Sequence, residues 1–443
     1  SQTETYGAIA QQIWNLAEMG YQEEKSAALL QTTLSDAGFS IKTGVAEIPT
    51  AFIAEYGSGS PVIAILGEYD ALPGLSQQAV AEKKSAGKVA GHACGHHLFG
   101  TASTAAAIAV KDWMTANNTK GTVRFYGTPA EEGGGAKVYM SRAGLFDDVD
   151  VALHWHPGSQ NAASAAAALS NISAKFRFYG VSAHAAGAPE KGRSSLDGIE
   201  AMNNMVNLMR EHIPQETRIH YVITDGGKAP NVVPDFAEVY YYARHNRRDV
   251  VKSIFDRIVK AAEGAALGTE TTMDYEIVNG VHELLPNLTL QKLVHKNLSA
   301  VGGIEYSEEE KIFADKIAKS LGQEKANIAV AKDVQPFKET AKAYGSTDVG
   351  DVSFVVPTVG FGTATWVPGT SAHSWQAVAA GGTSIGKKGM MVAAKTLTLT
   401  AIDLFKNKDL VAKAKEEFIE RRGVDFVYAP LLGDRPPALD YRK

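Results

Sequence analysis

Residues 172–180, ISAKFRFYG, read as a β-strand, and they open the series of segments that decides how this chain is built. Helix SSLDGIEAMNNMVNLMREHI (194–213) follows, then strands TRIHYVIT (217–224) and FAEVYYYARH (236–245). Helix DVVKSIFDRIVKAAEGAA (249–266) and strand TTMDYEIV (271–278) complete the series. The order βαββαβ is the split-βαβ, ferredoxin-like arrangement, a self-contained unit.

A different pattern lies on either side of it. Upstream, AFIAEYG (51–57) and PVIAILGEYD (61–70) read as strands, the second a near-continuous apolar run suited to the centre of a sheet. A small-residue helix (100–114) and strands at 123–128 and 149–154 come next. Strands alternating with helices indicate a largely parallel α/β sheet. The opening stretch 13–39, with Ile13, Leu16, Ala17, Ala28, Leu29 and Leu34 at helical spacing, reads as helix stopped at Gly38. Composition shifts at the Ala/Ser run 162–168, and after about Pro286 the α/β pattern resumes with a helix and strand VVPTVGFG (355–362). The expected organisation is therefore an α/β catalytic domain, 1–167 and 286–443, interrupted by an inserted ferredoxin-like domain at 168–285. The tail VDFVYAPLLGDRPPALDYRK (424–443) is Pro-rich and reads as irregular.

The 443 residues are too many for one ordinary core, and 45% hydrophobic with 21% charged residues is a soluble globular balance. A net charge of −5 without any basic block argues against nucleic-acid or anionic-membrane partners. No apolar run approaches the roughly 18 residues of a membrane span. The start, SQTETYGAIAQQIW, has neither a basic nor an apolar leader region, and it lacks Met. A cytoplasmic protein trimmed of Met and an exported one with its signal removed both fit. The single cysteine, Cys94, excludes an intrachain disulfide.

Four clusters carry metal-type donors. GHACGHHLFG (91–100) sets Cys94 and His96 two apart beside His97, and thiolate with imidazole suits zinc and similar ions. GTPAEEGGGAK (127–137) leaves Glu131 and Glu132 adjacent at a strand end, where α/β folds place their sites. One carboxylate can bind metal while its neighbour takes a proton. In ALHWHPG (152–158), His154 and His156 share a face on a strand, so the spacing leaves either as a ligand. GTSAHSW (369–375) places His373 in a Gly/Ser loop. Singly, a buried apolar Cys, an acidic turn or a loop His would explain each; together they point to a metal centre.

These segments, with GEYDALPGLS (67–76), YGVSAHAAGAPEKGRSSLDGIEA (179–201), GGKAPNVVPD (226–235) and STDVGDVS (346–353), make the chain resemble the M20 family of metallopeptidases and amidohydrolases along nearly its whole length. The likeness is strongest to the subgroup of aminobenzoyl-glutamate hydrolases and weaker to auxin-conjugate amidohydrolases. The resemblance implies two divalent ions, Zn or Mn, held by Cys94, His96, Glu132, His154 and His373. It selects His154 because the auxin-conjugate pattern has its ligand His three residues before a Pro, here Pro157. It further implies Glu131 as general base, Asp70 as a supporting acid, His184 reaching the partner subunit's site, and Asn231 and Arg244 holding the substrate carboxylate. His97 stands where many relatives have Asp and is left out of the ligand set. The implied activity is hydrolysis of the amide of an N-acyl amino acid, with p-aminobenzoyl-glutamate as one candidate. Dipeptidase action is the rival within the class, and an inactive relative serving binding or assembly is the rival outside it. The implied assembly is a homodimer through the insert, with room for a heteromer with a related A-type subunit.

Overall fold

The computed structural model describes residues 2–342 and 345–442; Ser1 and Lys443, the ends of the two terminal segments read above, lie outside them. A six-stranded sheet forms the larger domain, in the order Ser40–Thr43, Phe52–Ser58, Gly121–Gly127, Val62–Gly67, Val151–Leu153, Thr358–Val359. The first two strands pair antiparallel, and Phe52–Ser58 meets Gly121–Gly127 antiparallel as well. The remaining pairs are parallel. Every residue of Val62–Gly67 is buried, because helices cover both sheet faces and water reaches neither side of this strand.

One face packs Ile63, Ile65 and Phe125 under helices Gln2–Leu16, His96–Ala116 and Ser384–Lys406. The other packs Ala64, Leu66 and Tyr126 under Ala136–Arg142 and Val349–Ser353. Helix His96–Ala116 comes very close to the sheet: a Cβ on Gly100 would lie 2.7 Å from the Glu68 carbonyl oxygen. That approach sets the start of the helix, preceded by Cys94, beside the carboxyl end of strand Val62–Gly67, where Glu68 and Asp70 follow. Parallel α/β sheets offer their binding crevices at that end.

The opening segment differs from the expected continuous helix. Gln2–Leu16 and Glu24–Asp36 are separate helices, with Ala17 and Tyr21 at positive φ (48° and 66°) in the turn between them. Ala27, Leu30 and Leu34 form the buried face of the second helix, while Ala28 is exposed.

The smaller domain is a four-stranded antiparallel sheet in the order Arg218–Asp225, Phe236–His245, Ser170–Tyr179, Thr272–Val281. That order, 2-3-1-4 along the chain, is the ferredoxin-like one. Helices Ser195–Met209 and Arg248–Gly268 cover one face with a core that includes Phe176, Ile199, Val239, Tyr241 and Ile258. Burial alternates at every residue of Phe236–His245, so Tyr240, Tyr242 and Arg244 project from the face away from those helices. The outer strand Arg218–Asp225 is largely exposed. Among the described residues, no helix is long and apolar enough to cross a membrane.

Candidate metal centre

Donor atoms converge between the two domains. A cavity of about 1030 Å³ is lined by Cys94, Glu131, Glu132, His154, His156 and His373 from the larger domain and by Asn171, Tyr240, Tyr242 and Arg244 from the smaller. Three sets of donors each lie within 4.8 Å of one another: Cys94, His96 and His156; Cys94, Glu132 and His373; Glu68, His96 and Glu131. Cys94 belongs to two sets, so its sulfur stands where it can be shared.

Each donor is held by its neighbours. Gly95, at φ 77°, ends the incoming loop and opens helix His96–Ala116. The carboxylate of Asp70 accepts from His96 Nδ1 at 2.8 Å and from the Glu132 backbone N–H at 2.9 Å, orienting one member of each set. Glu23, fully buried, accepts from the Ala130 N–H at 2.8 Å and thereby fixes the loop before Glu131, where Ala130 takes φ 55°. Glycines at 133 and 135, both at positive φ, complete that loop. His373 has φ 59°; its N–H donates to Ala93 O at 3.0 Å and its Nε2 lies 3.0 Å from Glu132 Oε1.

The two histidines that the spacing left level are not equivalent. The strand does not run through both: it ends at Leu153, and a new one, His156–Gly158, begins beside Gly362–Ala364. His156 Nε2 lies 3.4 Å from Cys94 Sγ, and its Nδ1 donates to Pro157 O at 2.7 Å. A carbonyl can only accept, so the proton is on Nδ1 and the Nε2 lone pair faces the sulfur. His154 also lines the cavity, but its ring lies against Gly360 and it joins none of the three sets. His97 turns into the core, with Nε2 donating to Gly381 O at 3.0 Å and the ring 4.9 Å from that of His92.

The electrostatics suit cations. Burial pushes the Cys94 thiol up, with His96 pulling it down. Burial alone would depress His96, yet Cys94, Asp70 and Glu68 hold its pKa well above the usual imidazole value. Burial raises the Glu131 carboxyl, and the Glu68, Glu132 and Asp348 charges raise it further. His156 falls to about 4 and His154 to about 3, both chiefly by burial, so both are neutral. His96 Nε2 and Glu68 Oε2 face each other at 3.1 Å without forming a hydrogen bond, both buried. Buried donor atoms that face each other without a hydrogen bond fit divalent ions placed among them.

Behind the donors lies a charge network absent from the sequence reading. Lys137, fully buried, places Nζ 2.7 Å from Glu68 Oε1 and 2.7 Å from Asp348 Oδ1. The tail supplies another such contact, with Arg442 Nη2 donating to Glu132 O at 2.7 Å. His184 and Asn231 do not line this cavity. Both are exposed on paired loop segments of the smaller domain, where the Ala185 N–H donates to Asn231 O at 3.0 Å.

Residues 167–270, which take in most of the smaller domain, match the M20 peptidase dimerisation domain. The chain is 43% identical over 439 residues to the B-type subunit of p-aminobenzoyl-glutamate hydrolase from Escherichia coli, covering 93% of this chain and 91% of that one. The chain belongs to the M20 family of metal-dependent hydrolases. A second relative, the Xaa-Arg dipeptidase of Mus musculus, is 28% identical over 94% of this chain and 89% of its own. The fold is also that of a dinuclear metal-binding M20 peptidase from Bacillus subtilis, with a TM-score of 0.62 at 17% identity over 91% and 99% of the two chains. This M20 hydrolase thus combines a catalytic α/β domain with a dimerisation domain, and its donor sets supply candidate ligands for the metal.

Proposed function

We propose that this M20 hydrolase is a dinuclear amidohydrolase acting on N-acyl amino acids. Its first candidate substrate is p-aminobenzoyl-glutamate, which the 43%-identical relative is named for hydrolysing. The observation that carries the reading is the Cys94 sulfur shared by two donor sets next to half-buried Glu131. In this reading Cys94, His96 and His156 hold one ion, and Cys94, Glu132 and His373 hold the other. His156 takes the place that the family motif suggested for His154. Thiolate and imidazole donors favour zinc over manganese.

Bound divalent ions supply an acidified water and a polarised carbonyl at neutral pH. Glu131 moves the protons. Burial and three neighbouring carboxylates raise its affinity for a proton, so it can take one from the nucleophile and deliver it to the leaving nitrogen. Asp70 keeps His96 and Glu132 in place meanwhile. Residues 168–285 act as lid and dimerisation domain over the site formed by 1–167 and 286–443. Arg244, stacked 5.2 Å over the Tyr242 ring with its Nε unpartnered, receives the substrate α-carboxylate.

His184 and Asn231 serve the site of a second copy. His184 Nδ1 accepts from the N–H groups of Ala186 and Gly187 at 3.2 and 3.0 Å, so its proton sits on Nε2, ready to donate to a developing oxyanion. Exposed Met205, Leu208, Val222 and Val232 on the same domain suit burial between two copies. The relative's name marks it as one of two kinds of chain, which makes a related A-type subunit the other partner to test.

The test is Glu131→Gln. It should retain metal while kcat on N-acyl amino acids falls by at least about a hundredfold. Near-normal turnover at full metal content would remove Glu131 from the mechanism.

A further inference from the structure

We propose that Arg442, in the irregular C-terminal tail, binds the side-chain carboxylate of an acidic N-acyl amino acid, which makes the tail a specificity wall of the active site. This rests on the amidohydrolase reading above.

The tail is built into the site. From residue 424 to 442 it has neither helix nor strand, yet it is tied to both domains. Arg435 donates to Val278 O at 2.8 Å and pairs with Glu276 at 3.1 Å on the lid, while Arg142 donates to the carbonyls of Gly433 and Arg435 at 2.9 Å. The ring of Tyr441 meets that of Tyr21 edge-on at 5.6 Å, and its hydroxyl donates to Glu132 O at 3.2 Å. Gly20 makes room for that hydroxyl, since a Cβ there would collide with it. The last described residue is thereby delivered to the cavity wall.

Arg442 arrives there with capacity to spare. One nitrogen, Nη2, is used on Glu132 O and the guanidinium lies 4.9 Å over the Tyr441 ring, but Nε is buried without a hydrogen-bond partner, and among the described residues no carboxylate pairs with the guanidinium. Asp440 also lines the cavity, but it is exposed to solvent. Arg442, Tyr240, Tyr242 and Arg244 all line this cavity; the Tyr240 hydroxyl is 3.3 Å from that of Tyr242, and Arg244 stacks on Tyr242. The guanidiniums of Arg244 and Arg442 thus share one cavity wall with a pair of tyrosines. Both guanidiniums are half-buried with a buried Nε that has no hydrogen-bond partner, and a planar guanidinium matches carboxylate best. An N-acyl amino acid brings one carboxylate, which Arg244 takes. A second cation calls for a second carboxylate, the side chain of a glutamate-like residue.

The experiment measures binding by calorimetry in the zinc-loaded Glu131→Gln protein, using N-benzoyl-glutamate and its neutral isostere N-benzoyl-glutamine. Adding Arg442→Gln should weaken the glutamate ligand by about 10- to 100-fold, the worth of one charge-assisted hydrogen bond, and shift the glutamine ligand by less than about threefold. Arg442→Lys should restore part of the loss. Equal losses on both ligands would mean that Arg442 only braces the Glu132 loop, and an unchanged glutamate preference would mean that it does not meet the ligand; either overturns the proposal while wild-type turnover of N-acyl amino acids leaves the amidohydrolase reading standing. If the zinc-loaded protein neither binds these ligands nor hydrolyses any N-acyl amino acid, that reading fails and this proposal falls with it.

Discussion

Replacing His156 by alanine, with His154→Ala beside it, tests the centre at the point where the family motif and the geometry part. The His156 ring has one tautomer, fixed by the 2.7 Å bond to Pro157 O, and its free Nε2 stands 3.4 Å from the Cys94 sulfur. Loss of an outer partner of a metal-bound histidine costs about 10- to 100-fold in metal affinity, which is roughly 1.4–2.7 kcal/mol. Loss of a ligating ring sets that range as a floor. His156→Ala should therefore drop from two ions per chain toward one in a metal-buffered titration followed by elemental analysis.

His154→Ala should behave differently. Its ring fills space against Gly360, with Nε2 buried and unpartnered. Removing it leaves a cavity that costs on the order of a few kcal/mol of folding stability, with metal content unchanged. Denaturant unfolding of the same samples separates the two losses. If His156→Ala keeps both ions while His154→Ala loses one, the motif's choice is right and the contact between His156 and Cys94 does not report coordination.

Lys137→Met removes the cation between Glu68 and Asp348, each 2.7 Å away in a fully buried site, and should destabilise the fold by about 3–5 kcal/mol in denaturant titration. A loss under about 1 kcal/mol would show that the network does not depend on the lysine charge. His282, held by burial at a pKa of about 4 against 6.5 unfolded, adds stability that is full above pH 6.5 and drains as pH falls toward 4. Its neighbour Asp351, raised by burial to about 7, titrates in the opposite sense, losing stability as pH rises through that value. His282→Gln should flatten the acid-side loss by about 3 kcal/mol relative to wild type, and parallel pH profiles of the two proteins would refute this. For His184, mixing inactive His184→Ala with inactive Glu131→Gln chains should restore part of the activity, because one site of each mixed dimer then has both groups. Subunit exchange without any recovery would end the cross-dimer assignment.

What could be read in the sequence follows from how far each interaction reaches along the chain. The ferredoxin-like insert is legible because strand Phe236–His245 alternates burial residue by residue, and alternation is a local signal. The central strand Val62–Gly67 is legible for the converse reason, an unbroken apolar run in a strand covered on both faces. The turn between the first two helices was lost because apolar residues on both sides keep helical spacing. What breaks the helix is backbone geometry at Ala17 and Tyr21, and Gly20 beside Tyr21 is the local mark of that turn.

The donor clusters drew notice because Cys94 with His96, and Glu131 with Glu132, are sequence neighbours. The choice between His154 and His156 escaped the same logic. The rule that alternate residues share a face presumes one strand, and the chain stops pairing between Leu153 and His156. Lys137 and Asp348 lie 211 residues apart, and Arg442 lies 310 residues from Glu132. No period or local spacing links such pairs. An Arg in a Pro-rich tail reads as solvated charge until the fold returns it to the cavity. The donor residues are thus visible as motifs, and Glu68, Lys137 and Asp348 lie inside such motifs too, but that these three form one charge network, and that Arg442 reaches the cavity, appears only when the chain is folded.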